Sequence, residues 1–134
     1  MSEEPKKIIR VRDVMTSELH YIDGMATAGE AAEMMRIKKS DALLVSRRNS
    51  NDATGIVVVQ DIIKKVVLPE QSPENVNVYE IMTKPVISLP ADMDVRYAVR
   101  LMTRADIRRA PVEDKGEYIG ILSFANLILG GVII

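Results

Sequence analysis

Toward the end of the chain two adjacent arginines, Arg108 and Arg109, begin a short apolar run, and a Ser123-Phe124-Ala125-Asn126 segment follows it. These residue types suit one kind of chemistry. A guanidinium fork matches phosphate in both charge and geometry. A hydroxyl beside free backbone N–H groups at a helix start is a natural seat for phosphate. A side chain one turn later, on the same edge, can hydrogen-bond ribose hydroxyls. Ser-x-x-Asn at a helix start reads equally well as an N-cap, and the two readings are compatible. Adjacent strand residues point to opposite faces, so the two arginines are expected to play unequal roles.

Other chemistries find no residues to carry them. The chain has no Cys, which removes disulfides, thiolate nucleophiles and Cys-ligated zinc together. His20 is the sole histidine, and a lone histidine cannot build a zinc site. Phosphate loops of the Walker type, GxGxxG turns, HExxH and nucleophile elbows are missing from the sequence. No acid is paired with a base, so catalysis is not expected. The formal net charge of −1 gives no overall pull toward nucleic acid or anionic lipid, and four Tyr and one Phe are few for stacking bases. MSEEPKK lacks an apolar h-region, and no apolar run approaches the ~18 residues a membrane span needs. A cytoplasmic location is expected. The closing LILGGVII, broken by Gly130 and Gly131, reads as core or as a subunit contact.

The elements that must position these residues follow from an internal repeat. The chain has 134 residues, 47% of them hydrophobic and only 4% aromatic, so its core must be built from Val, Ile, Leu, Met and Ala. Shifted by 67 residues, Val11, Met15, Thr16, Ala31, Met35 and Val45 fall on Val78, Met82, Thr83, Ala98, Met102 and Val112. After a loop two residues shorter, Gly55, Ile56 and Ile63 fall on Gly120, Ile121 and Ile128. One supersecondary unit is used twice, and such a unit cannot bury its apolar face alone. Each copy reads as a helical turn (VRDVM, VYEIM), a strand (HYI, PVISL), an amphipathic helix, two further strands and a closing helix. The amphipathic helices carry Ala28, Ala31, Ala32 and Met35, then Val95, Ala98, Val99, Met102 and Ala105, with Thr27 and Asp94 as N-caps. RRNSNDAT and DKGE read as turns, the former with Arg47–Arg48 and Asn49–Asn51 at a polar tip. The organisation predicted is a tail at 1–10, one motif at 11–68, a Pro-containing linker at 69–77 and a second motif at 78–134.

The ordered set resembles a tandem pair of CBS domains, the Bateman module. The features that carry it are MTKPVISLP, the mid-unit Ala and Met, RRAPV, and the GILSFAN close, and the likeness covers residues 8 to 130. The fold class implied is α/β (α+β), with two motifs related by a pseudo-twofold axis, each strand-helix-strand-strand-helix. The resemblance implies a stand-alone regulatory protein that binds an adenine nucleotide, AMP, ADP or ATP, and relays occupancy to a protein effector. It also implies a homodimer, paired through the helices Ala28–Lys39 and Val95–Arg104 and the terminal residues. By resemblance, each cleft joins the start of one motif to the end of the other. One cleft would combine Thr16, Leu19 and His20 with Arg108, Arg109, Ile121, Ser123 and Asn126, where Asn stands for the family's usual Asp. The second, weaker cleft would combine Thr83 and Val86 with Asp41, Val58 and Asp61. There Val58 lacks the hydroxyl, and Asp41 stands where an arginine would meet phosphate. The rival expectations are a structural dimerisation module with degenerate clefts, and a sensor of an adenosyl ligand resembling S-adenosylmethionine.

Overall fold

The computed structural model describes residues 7–134. Along the chain the elements are α1 (Val11–Val14), β1 (Tyr21–Ile22), α2 (Ala28–Lys38), β2 (Ala42–Val45), β3 (Gly55–Val58), α3 (Val59–Ile62) with a π-helical turn over Ile63–Val67, a 3-10 turn at Pro73–Asn75, α4 (Val78–Ile81), β4 (Leu89–Pro90), α5 (Val95–Arg104), β5 (Arg109–Asp114), β6 (Glu117–Ser123) and α6 (Phe124–Leu129). They form a mixed α+β fold in two compact units. The first unit is Leu19–Val86; the second joins the chain up to Glu18 to Ile87–Ile134.

In the first unit the strand order is β1-β2-β3. β1 runs parallel to β2 and is joined to it by α2, as a parallel pair requires. β2 pairs antiparallel with β3. All four residues of β2 are buried, the pattern of a strand covered on both faces. α2 starts on a reciprocal cap: the Thr27 hydroxyl accepts the Glu30 N–H at 3.1 Å, and the Glu30 carboxylate accepts the Thr27 N–H at 3.3 Å. It ends at Lys39, whose left-handed φ of 51° stops the helix. Ala31, Met35, Leu43, Val45, Val57 and Val66 lie in its core.

The second unit repeats this topology with the order β4-β5-β6. β4 is parallel and β6 antiparallel to β5, with an irregularity at Val112/Glu113. β5 and β6 are joined through Lys115 and Gly116, whose φ values of 51° and 82° belong to a tight hairpin turn. Its core is made by Leu89, Val95, Ala98, Met102, Val112 and Leu122.

The opening turn of each repeat lodges in the unit built by the other repeat. α1 belongs to the second unit: the Val11 and Arg12 N–H groups donate to the Met93 and Ala91 carbonyls, each at 2.9 Å. α4 belongs to the first: the Val78 and Tyr79 N–H groups donate to the Ala26 and Gly24 carbonyls at 2.8 and 2.9 Å. Val11 and Val78 are fully buried in these positions. Of the tail expected at 1–10, residues 1–6 lie outside the described residues. Ile9 already belongs to the fold, its carbonyl accepting the Val95 N–H at 2.8 Å.

The strands expected at HYI and PVISL are shorter than the apolar runs suggest. In the second case the reason is visible. The Val86 N–H donates to the Thr54 carbonyl of the first unit at 2.9 Å, so only Leu89 and Pro90 remain to pair with β5.

Candidate functional site

In the second unit the antiparallel register places Arg109 opposite Ser123. The Arg108 carbonyl accepts the Phe124 N–H at 2.9 Å, so the chain of the arginine pair lies against the start of α6. Arg108 is exposed and Arg109 half-buried, in keeping with unequal roles. Ser123 is only 7% exposed, and its Oγ accepts the Asn126 N–H at 3.1 Å. The cap reading therefore holds. It does not exhaust the hydroxyl, which keeps its own proton to donate. Thr16 reaches the same edge: it and Ile121 exchange two backbone hydrogen bonds, each 2.9 Å. Thr16, Arg108, Arg109, Ile121, Ser123 and Asn126 are thus gathered at one edge of one unit.

That meeting depends on Gly120. A Cβ there would collide with the Thr16 carbonyl oxygen and stand 2.8 Å from the Met15 sulfur. The glycine of the closing motif lets the opening segment lie directly on β6.

The first unit repeats the geometry with different chemistry. Ala42 pairs with Val58, and the Asp41 carbonyl accepts the Val59 N–H at 3.0 Å. Backbone pairing thus makes Asp41 and Ala42 the counterparts of Arg108 and Arg109, and Val58 that of Ser123. Thr83 exchanges two hydrogen bonds of 2.9 Å with Ile56, and Val86 follows on the Thr54 carbonyl. The Asp61 carboxylate is committed within the chain. Its Oδ2 accepts the Val58 N–H at 2.9 Å, and its Oδ1 pairs with Lys65 Nζ at 3.2 Å. The same ammonium donates to the Ile81 carbonyl at 2.9 Å. The carboxylate thus satisfies the Val58 N–H, the reciprocal half of a capping box, while Val58 itself offers no side-chain acceptor to the first turn of α3. Leu19 and His20 also belong to this first unit, where the His20 carbonyl accepts the Leu44 N–H at 2.9 Å.

One constellation escaped the sequence reading. The loop with Arg47, Arg48 and Asn49 to Asn51 is more than a polar tip. Asp52 Oδ1 pairs with Lys84 Nζ at 2.6 Å, and Oδ2 accepts the Arg48 N–H at 2.9 Å and its Nε–H at 3.1 Å. Lys84 first, then Arg48, hold the Asp52 carboxyl well below the ordinary carboxylate range. The pair ties the β2–β3 loop to the segment after α4, beside a cavity of about 310 Å³ lined by Gly24, Met25, Ser46, Tyr79 and Met82. The Arg48/Asp52 spacing was legible as i,i+4. The partner 32 residues on from Asp52 was not.

Among the described residues no group of three or more His, Asp or Glu side chains could hold a metal ion. No described helix is long and apolar enough to cross a membrane.

The model of the CBS domain matches the chain twice, over residues 11–68 and 78–130. An uncharacterized protein of Methanopyrus kandleri is 34% identical over 87% of this chain, which spans only 57% of that relative's length. An uncharacterized protein of Bacillus subtilis is 26% identical, covering 90% of this chain and 80% of its own. Among solved structures, a hexameric CBS-CP12 protein from bloom-forming cyanobacteria superposes with a TM-score of 0.88 at 34% identity, over 92% of this chain and 68% of that one. A putative signal-transduction protein with CBS domains from Burkholderia ambifaria gives a TM-score of 0.76 at 31% identity, over 87% and 84%. The matched motifs, the twice-used strand and helix order and the likeness to these structures agree: the chain belongs to the CBS-domain family, as a tandem pair.

Proposed function

We propose that this CBS pair is a regulatory module whose second unit takes an anionic adenine nucleotide, AMP, ADP or ATP, and that it works as a homodimer without catalytic activity of its own. Tandem CBS proteins are regulatory modules. One observation carries the finer reading: the register that sets Arg109 opposite Ser123, with the Arg108 carbonyl at the Phe124 N–H. Arg109 and the Ser123 hydroxyl thereby share one sheet edge with Thr16, Ile121 and Asn126, the residue types that a phosphate and a ribose need, and Arg108 stands next to them in the chain. The equivalent edge of the first unit carries Asp41, Ala42 and Val58, which favour neither.

Isothermal titration with AMP and with ATP tests this. One site per chain is expected, with affinity falling tenfold or more in Arg109→Ala, since a charge-assisted hydrogen bond to phosphate is lost. No heat with either nucleotide, or unchanged affinity in the variant, would overturn it.

A second reading, a structural dimerisation module, is favoured by the use of Ser123 Oγ as a cap and of Asp61 as a partner of Lys65. It expects self-association with no thermal shift from any nucleotide.

A further inference from the structure

The cavity of about 310 Å³ in the first unit opens where β1 and β2 end, past Ile22 and Val45. The edge that carries Asp41, Ala42 and Val58 lies at the other end of β2. The two places are therefore distinct, and nothing in the nucleotide reading uses the cavity.

The repeat shows how the same place is filled in the second unit. Shifted by 67 residues, Met25 and Tyr79 correspond to Asp92 and Arg12. Those two residues pair, Arg12 Nε with Asp92 Oδ1 at 2.8 Å, and Arg12 Nη2 reaches Asp114 Oδ1 at 3.5 Å. In the first unit the two positions carry apolar bodies that line the cavity, Met25 70% and Tyr79 50% exposed. An ion network in one copy is thus exchanged for an open apolar wall in the other. A thioether and an aromatic ring form an adaptable surface for an apolar guest.

The charges around this wall do not cancel locally. Arg48 and Lys84 line the cavity and both lean on Asp52, so two cations share one carboxylate and one positive charge is left over. Asp52 engages Arg48 through Nε alone and Lys84 through Nζ, which holds both cations in place and leaves further N–H donors on each. Asp23 is the cavity's acid, and it makes no ion pair among the described residues. Its Oδ1 accepts the Met25 N–H at 2.8 Å, which fixes the carboxylate and leaves the second oxygen to accept. Acid and base stand close together. The Ser46 N–H donates to the Ile22 carbonyl at 3.0 Å, so Asp23 leaves β1 beside Ser46, and Arg48 follows two residues later.

We propose that this cavity binds a free amino acid with an apolar side chain. Its carboxylate meets Arg48 and Lys84, its ammonium meets Asp23, and its side chain lies on Met25 and Tyr79. One surplus cation and one surplus anion match a zwitterion, whereas a simple acid or a simple amine would leave one of them opposed. The volume suits a guest of that size.

Isothermal titration of the full chain with L-leucine, L-methionine and L-phenylalanine tests this. One equivalent per chain is expected for at least one of them, with a dissociation constant of about 1 mM or tighter. The N-acetyl derivative and the methyl ester of that amino acid each lack one charge and are expected to bind at least tenfold more weakly. Asp23→Asn keeps an acceptor for the Met25 N–H but loses the charge, and is also expected to weaken binding at least tenfold. The double variant Met25→Asp/Tyr79→Arg copies the second unit's pair into the first and is expected to abolish binding. Thermal melts without ligand check that the variants are folded, and the two derivatives test the proposal on the wild-type chain alone. No heat with any of the three amino acids overturns it. So do derivatives that bind as well as the parent, or binding that persists unchanged in either variant. Titrations with AMP and ATP report on the second unit, so this proposal and the nucleotide reading fail separately.

Discussion

Thr16 and Gly120 stand 104 residues apart in sequence and lie together in the fold: the Thr16 carbonyl oxygen occupies the space a Cβ on Gly120 would need. The same motif glycine in the first unit, Gly55, would place its Cβ 2.9 Å from the Met82 sulfur and 3.2 Å from the Thr83 carbonyl. The two contacts differ in what can yield. At Gly55 the nearer atom belongs to a flexible thioether; at Gly120 it is backbone fixed by two hydrogen bonds of 2.9 Å.

Gly120→Ala is therefore expected to destabilise more than Gly55→Ala. Overpacking of this kind costs about 1–3 kcal/mol, with Gly120 at the upper end and Gly55 at the lower. Chemical denaturation of the two variants against the wild type measures the order. Equal losses would mean that the Thr16 strand shifts without resistance.

Asp52 provides a pH-dependent clamp. Its carboxyl is held well below its usual range by Lys84 and by Arg48, whereas in the unfolded chain it titrates near ~4. A group whose folded pKa is depressed stabilises the fold fully above the unfolded value and loses that contribution as pH falls through it toward the folded one. Asp52→Asn should lower the melting temperature at pH 7, and the gap to wild type should narrow as pH is taken down through the carboxylate range. Melts at several pH values check this. A gap of constant size would assign the loss to packing instead.

How much of this was legible from the sequence depended on whether the signal was local. The repeat, the amphipathic helices, the caps at Thr27 and Asp94 and the DKGE turn all rest on spacings within a few residues, and the structure shows each of them. The lodging of α1 and α4 in opposite units is long-range. Periodicity reads the same whichever unit Val11 or Val78 is buried in. Family resemblance, which joins the start of one motif to the end of the other, pointed to it. The repeated Gly55 and Gly120, beside the repeated Met-Thr pairs, were the physical clue. Lys84 could not be assigned to Asp52 because nothing in the intervening residues specifies that approach. At the candidate site, residue types gave the difference between Arg108/Arg109 and Asp41/Ala42, and the strand registers confirm that these positions correspond. Sequence did not disclose that Asp61 is engaged by both Val58 and Lys65.

The β5–β6 turn leaves an easy gain in stability. Lys115 adopts φ of 51° and Gly116 φ of 82°. The first angle is unfavourable for lysine and well tolerated by Asn, which favours such turns before Gly. Lys115→Asn is expected to stabilise by about 0.5–1 kcal/mol, and Gly116→Ala to destabilise by about 1 kcal/mol. Thermal denaturation of both variants decides it. A destabilised Lys115→Asn would mean that the lysine stem covers apolar surface, a role worth more than the backbone strain.

Ser123 separates capping from ligand binding, because the two roles tolerate different replacements. Its Oγ accepts the Asn126 N–H at 3.1 Å, and its strand partner is Arg109. Ser123→Ala removes the acceptor, so the start of α6 should lose about 1 kcal/mol. Ser123→Asp restores an N-cap acceptor of comparable quality but sets a carboxylate beside the arginine edge. If that edge receives phosphate, Ser123→Asp should melt close to wild type and yet bind AMP and ATP at least tenfold more weakly, by charge repulsion alone. Ser123→Ala should show the reverse emphasis, with stability clearly lower and affinity reduced less. The two measurements are independent: melts without ligand report the cap, and titrations report the anion. Nucleotide affinity in Ser123→Asp equal to that of the wild type would remove phosphate from this edge and leave Ser123 with a cap's role only.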